Sequence, residues 1–442
     1  MTTPTTPKSN SGVHRRTFLS RSLLVLALAF AMPNHNSFAT DATWNEDPVS
    51  GDWNSAENWT PAVVPDGIAN FGVSNITGIS VSQNPTSIES ISFDSDASEY
   101  TFAVLPGSAL LVSGTGVTNS YRSDQNFVCE GATSSSTAGG LLEFSGDSLA
   151  SNLALTATGG TNGGPGGVIQ FQDQSTSERC SISLSGNATL DISMSSRPDG
   201  VDIGRLTGTY SSGGAGIVNL GSNQLTIGSS NRASYLGGFI QDGPNGSGGS
   251  LHKVGTANLQ LAATSTYTGG TIVDGGGLVA LSDAGSMTGS GPVQVNQTGV
   301  LAGGGTIGGS VTIGPGAVLS PSYNVRRRVG RTLTIEGSLT LAADSIFHCN
   351  YLGYRLDSVS ANGISIEPNV QLELVAREPR RSAAGAVYTI LNNTSAAPIN
   401  GTFANLPDGI TFFERGNVIQ ASYEGGDGND LTLTVLKSRD RN

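Results

Sequence analysis

Three groups of residues in this chain have the types and spacing that chemistry requires. Trp44, Trp53 and Trp59 are its only tryptophans and fall within sixteen positions. Flat apolar ring faces beside polar edges are what a sugar stacks on, so the trio is a candidate glycan contact. The plainer reading is an aromatic plug closing the open first coil of a repeat structure. It is preferred because rings of that size would otherwise face water. The segment Gly425-Gly426-Asp427-Gly428-Asn429-Asp430-Leu431-Thr432-Leu433 fits the calcium-binding nonapeptide G-G-x-G-x-D-x-U-x. Asp427 and Asp430 would give Ca²⁺ hard carboxylate oxygens, but a single copy falls short of the roughly six to eight oxygens the ion takes. The competing reading is a glycine-rich hairpin turn leading into the last strand. Finally, Arg326-Arg327-Arg328 would suit an anionic polysaccharide or phosphate, or is simply a solvated loop insertion.

A polysaccharide lyase or hydrolase needs carboxyl groups, or a carboxylate–metal cluster with a proton acceptor, gathered on one groove. Asp94, Asp96 and Glu99 cluster in sequence, as do Asp199 and Asp202, without a Lys or His beside them. Beyond residue 39 the only histidines are His252 and His348, in separate segments. No H-x-x-x-H or Cys–His metal spacing occurs, and no G-x-S-x-G elbow. The expectation is therefore a protein that is not an enzyme, with the lyase or hydrolase kept as the lesser alternative. Cys129, Cys180 and Cys349 are far apart and odd in number, which favours small buried side chains over a disulfide framework.

The elements that would position such residues are set by composition. Of 442 residues, 61 are glycine and 18 proline, while only 13% are charged and 6% aromatic. That mixture is poor in helix formers and rich in turn formers and small β-compatible residues. Short Val/Ile/Leu runs interrupt the Gly/Ser stretches throughout, which argues against a disordered chain. Residues 1–22 are polar and basic, and Leu23–Met32 is an apolar run too short to span a bilayer. Ser37-Phe38-Ala39 then offers a cleavage site, so residues 1–39 read as a signal peptide. The stretch His14-Arg15-Arg16-Thr17-Phe18-Leu19 resembles a twin-arginine motif, although paired arginines also occur in ordinary signal peptides. After cleavage the chain holds 18 basic and 34 acidic residues, a charge of −16. Such a surface repels phosphate backbones, so no nucleic-acid partner is expected, and no integral membrane segment follows the signal.

A repeat defines the architecture. Val293, Val295, Val300 and Leu301 recur 18 residues later as Val311, Ile313, Val318 and Leu319. A third copy aligns at Leu333-Thr334-Ile335, 22 residues after Val311, with the surplus in the connection Pro321–Arg331. Each unit reads strand, small-residue turn, strand. Strands this short bury too little alone, so successive units must stack as coils of a β-solenoid. Weaker echoes lie at Phe102–Val112, Ser181–Ile192 and Ile217–Ile227. Ser134–Gly140, Gly159–Gly167 and Asp242–Ser250 are Gly/Ser-rich and read as projecting loops or flexible joints.

The stretch Thr266-Tyr267-Thr268-Gly269-Gly270-Thr271-Ile272-Val273-Asp274-Gly275-Gly276-Gly277-Leu278 resembles the autotransporter-associated β-strand repeat, also called the passenger-associated transport repeat. Gly289–Val293 and Leu301–Gly309 continue it. Ala317-Val318-Leu319-Ser320-Pro321 resembles the turn that follows, with Ser322 in place of its glycine. Ala42-Thr43-Trp44 with Trp53 and Asn58-Trp59, and Ala384–Leu391, Gly401-Thr402-Phe403 and Tyr423–Leu433, resemble the flanks of such proteins. The resemblance implies an all-β, right-handed parallel β-helix and export to the cell surface or medium. Only about 90 residues follow the repeat, whereas a barrel needs many strands of roughly 9–11 residues, so a C-terminal barrel is not expected. The expected organisation is a signal peptide at 1–39, a tryptophan-containing cap and first strands at 40–89, and a solenoid with Gly-rich loops at 90–350. The repeat occupies 255–347 of that solenoid, and a C-terminal β cap follows at 351–442. The expected role is structural or adhesive contact with cell-envelope or extracellular polymers, at the cell surface, outside the cell or in the periplasm. A glycan-binding module is the second reading.

Overall fold

Alternation decides the local structure. Along Thr101–Val104, Leu141–Phe144 and Val168–Phe171 every second residue is buried and its neighbours are not. That is the period-two signature of a strand with one face inside. A strand of three or four residues buries about two side chains, worth roughly 2–3 kcal/mol each. Fixing its backbone costs about 1–2 kcal/mol per residue, so such strands persist only when stacked.

A computed structural model describes residues 39–119, 125–209, 214–281, 287–322, 330–352, 355–376, 382–414 and 416–438. These belong to one unit, Ala39–Asn442. Residues 1–38, which hold nearly all of the expected signal peptide, and Arg326–Arg328 lie outside the described residues. The chain is a β-solenoid of about 12 turns, and the one helical turn among the described residues is the 3₁₀ segment Ala56–Asn58. Each full turn visits three faces. One face is a 12-stranded sheet running from Ala42–Trp44 to Phe239–Gln241, the second has 14 strands and the third has eight. The first face continues through single backbone bonds, Thr266 N to Ile240 O and Ser290 N to Tyr267 O, and Met287 N donates to Thr306 O. It then widens into a seven-stranded sheet that begins at Thr306–Ile307. Registers are parallel from coil to coil. Inside the second face, Ile79, Phe102, Phe127, Leu155, Ile182 and Leu206 form one buried column.

The 18-residue repeat is the coil itself, with Val293 paired to Val311 and Val300 to Val318. The third copy is a correction. Val311 pairs with Leu339, 28 residues on, and Leu333-Thr334-Ile335 instead extends the first face beside Thr306–Ile307. Leu333–Ile335 and Leu339–Leu341 are both apolar-x-apolar triplets, so local pattern does not tell which face each occupies. Parallel stacking also exceeds the expected 90–350 span. It begins at Ala42 paired with Ala69 and continues to Val359 paired with Leu391.

The glycine-rich middle is stacked coil, not joints. Thr161 N donates to Ala132 O at 2.8 Å, and Ala132 N to Pro165 O at 2.9 Å. Asp242 ties the loop that follows it, accepting from Gly249 N at 3.0 Å and Thr268 Oγ1 at 2.6 Å. Glycine is required here by close approach. A Cβ on Gly269, Gly291 or Gly309 would stand 2.4, 2.0 or 1.9 Å from a backbone oxygen of the preceding coil. These three positions fall in the repeat segments, and Gly131 and Gly159 meet the same limit upstream. At the C-terminal end Asp430–Ser438 pairs antiparallel with both Val387–Asn393 and Asn417–Gly425, and the latter pairs with Thr411–Glu414. This hairpin layer covers the last coil.

Candidate functional sites

All three tryptophans are inside. Trp44, Trp53 and Trp59 are 2%, 0% and 1% exposed. Trp59 meets the other two edge-on at centroid distances of 5.0 Å, and all three contact Phe71. The aromatic column runs on through Phe93, Tyr100, Phe102 and Phe127, the last two stacked at 4.5 Å. Trp59 Nε1 donates to Trp53 O at 2.8 Å and Trp44 Nε1 to Ile76 O at 3.1 Å, whereas Trp53 Nε1 is buried without a partner. No ring face is left for a sugar, which corrects the glycan-contact expectation. The strands Ala42–Trp44 and Trp59–Thr60 pair with each other at the sheet's end, so their indoles pack into the first coil as a plug.

The nonapeptide forms a hairpin turn. Gly425 pairs with Asp430 across antiparallel strands, and Asp430, 5% exposed, accepts a hydrogen bond from Asn393 N at 2.8 Å. Burial raises the Asp430 pKa, the Asn393 bond opposes it, and nearby Asp427 adds to the rise. Asp430 thus ties the hairpin to the last coil, and Asp427 lies in the exposed turn. No group of three or more His, Cys, Asp or Glu able to hold a metal occurs among the described residues.

The acidic clusters stay apart from the histidines. Asp94, Asp96, Glu99 and Asp199 are exposed. Burial raises the Asp202 pKa, with Glu178 adding to the rise and Ser229 and His252 opposing it. His252 pairs with Asp274 at 2.6 Å. The hydrogen bond from Asn296, followed by His252, keeps the Asp274 pKa low. Asp202 and His252 share one column, but Thr226 stands between them, two strand spacings or about 9.6 Å. His348 pairs separately with Glu373 at 3.3 Å. All three cysteines are buried and outside any disulfide, and burial pushes the Cys129 thiol up to about 12.

Sequence reasoning missed Lys253. It is 1% exposed, and its ammonium donates to Val254 O, Gly255 O and Gly275 O at 2.5, 3.2 and 3.0 Å, bonding successive coils. Burial lowers its pKa from 10.5 to about 8. Between those values the unfolded chain binds more protons than the folded one, so this group makes stability rise with pH across that window, by about 3 kcal/mol in all. Urea midpoints measured from pH 8 to 9.5 should therefore climb more steeply in wild type than in Lys253→Met. Equal slopes would discard the assignment.

Two outward features remain. On the first face Glu143, Gln170, Asp191, Asn219 and Gln241 lie in register, one per coil, beside a column of Leu141, Val168, Thr189, Ile217 and Phe239. Gln241 Nε2 donates to Asn219 Oδ1 at 2.8 Å. Further along, on the seven-stranded sheet, two adjoining hollows share Gly330. One, of about 410 Å³, is lined by Gly304, Thr306, Arg331, Thr332 and Thr334. The other, of about 350 Å³, is lined by Arg355, Leu356, Val387, Tyr388 and Thr389. No protein-family model and no curated protein matches this chain. These faces are therefore what its function must be read from.

Proposed function

We propose that this chain is an exported structural or adhesive protein of the cell surface or extracellular space, acting through the length of its solenoid. The observation that carries the reading is the ladder Glu143–Gln170–Asp191–Asn219–Gln241 beside a column that is apolar except at Thr189. Five coils at about 4.8 Å present hydrogen-bonding and apolar groups at a fixed repeat along about 19 Å. A polymer lying along that line makes many weak contacts whose sum grows with length. The basic and apolar N-terminal segment supports export. Membership of the autotransporter-associated repeat proteins belongs to the same proposal. Its support is the close-packed Gly269, Gly291 and Gly309 within the repeat segments.

Cells expressing the full chain, and a version lacking residues 1–39, provide the test. The full chain should be reached by protease added outside intact cells, and the shortened one should stay inside. Retention of the full chain in the cytoplasm, or release of unsaturated or reducing sugar ends by the purified protein, would overturn the reading.

A further inference from the structure

We infer that the groove shared by Gly304, Arg331 and Arg355 binds an acidic polysaccharide, with its uronate carboxylates on the two guanidinium groups. The inference rests on the proposed contact with extracellular polymers and names their class. The groove crosses four successive strands of one parallel sheet: Thr306–Ile307, Thr332–Ile335, Ser358–Ala361 and Val387–Asn393. Its two hollows meet at Gly330.

The two arginines are placed alike. A Cβ on Gly304 would stand 2.9–3.1 Å from the Arg331 stem, and one on Gly330 would stand 2.8–3.4 Å from the Arg355 stem. Each arginine therefore lies over a glycine of the preceding coil, and the missing Cβ makes room for it. The Arg331 backbone is also held from beneath, where the buried Asp357 carboxylate accepts from Gly330 N at 3.0 Å and Arg331 N at 3.2 Å. Among the described residues no carboxylate forms an ion pair with Arg331.

The lining selects the ligand. A guanidinium fork binds carboxylate oxygens in pairs, and the hydroxyls of Thr306, Thr332, Thr334 and Thr389 match the hydroxyls of a sugar. Two cations on a chain whose residues 40–442 carry a net charge of −16 offer too little for the dense phosphates of a nucleic acid, which the rest of the surface repels. A uronate polymer meets the same repulsion, and what favours it is the row of threonine hydroxyls, which match sugar hydroxyls beside each carboxylate.

Affinity electrophoresis of the mature chain in polygalacturonate, neutral dextran and polyadenylate tests this, with galacturonate monomer as competitor. Wild type should be retarded by polygalacturonate alone, and the monomer should compete poorly. Arg331→Gln and Arg355→Gln should each weaken binding about tenfold, the loss of a charged hydrogen bond. Arg331→Lys should recover only part of it, because the fork is gone. Gly304→Val, which crowds the Arg331 stem while keeping its charge, should also weaken binding. Unchanged melting temperatures would show that Arg331→Gln and Arg355→Gln fold. Equal retardation by dextran, preference for polyadenylate, or full binding by the double arginine variant would overturn the assignment. A protein found at the cell surface that ignores polygalacturonate sinks the groove alone, whereas one kept in the cytoplasm sinks the surface role.

Discussion

Trp53→Ala should unfold the first coils well before the rest of the solenoid. The ring is fully buried against Trp59, Phe71 and Phe102, and truncating a buried tryptophan costs about 3–5 kcal/mol. In a stacked array each coil is stabilised only by its neighbours, so loss at an end is felt first at that end. The protein supplies its own local probe. Every tryptophan sits in this plug, so indole fluorescence reports the first coil while circular dichroism reports the whole array. In Trp53→Ala the fluorescence transition, read from Trp44 and Trp59, should move to lower urea and separate from the dichroism transition. Trp53→Phe is the sharper control. It keeps most of the packing and removes an N–H that is buried without a partner, so it should cost far less. Coincident, unshifted transitions in Trp53→Ala would mean that the plug is not what closes the solenoid.

How far the sequence revealed this structure depends on the length of chain each feature needs. The 18-residue offset was readable to the exact pair, Val293 with Val311, because neither coil carries an insertion between its strands. The next coil adds a strand and a long connection, and the same pattern then misplaced Leu333–Ile335 by one face. Burial of Trp44, Trp53 and Trp59 was legible as the preferred reading, since exposed indoles are costly. The glycine-rich middle was not, because glycine marks a loop and a close approach of two backbones with the same letter. Only the partner coil distinguishes them, as at Gly159, whose Cβ would stand 2.7 Å from Gly186 Cα.

The groove was illegible for a related reason. Its residues come from four coils, and no single local motif holds them together. A signal was nevertheless present, since Gly304 precedes Arg331 by one coil and Gly330 precedes Arg355 by one coil. That spacing has meaning only after the coil length is known. In a solenoid, function is written across the coils rather than along the chain, so register has to be settled before any site is sought.

Asp357 shows how tightly the groove depends on that register, and its replacement by alanine carries the second large expected effect. The side chain is fully buried and accepts five hydrogen bonds. Ser322 Oγ, Gly330 N and Arg331 N donate to one oxygen, at 2.5, 3.0 and 3.2 Å. Asn350 N and Nδ2 donate to the other, at 3.1 and 3.0 Å. Three separate stretches of chain thus meet at one carboxylate. Removing it strands several buried donors at about 1–3 kcal/mol each, partly relieved by water, for a net loss of about 3–5 kcal/mol. Asparagine should not rescue the fold, because its amide would turn a donor toward a set of donors. Hydrogen exchange is the discriminating measurement. In Asp357→Asn the amides of Gly330, Arg331 and Asn350 should lose protection while those of the distant column around Phe127 and Leu155 keep it. Polygalacturonate affinity should fall with them even though both arginines remain, because Arg331 is then no longer held over Gly304. Full protection at Gly330 and Arg331 in that variant would show that the carboxylate does not organise the groove.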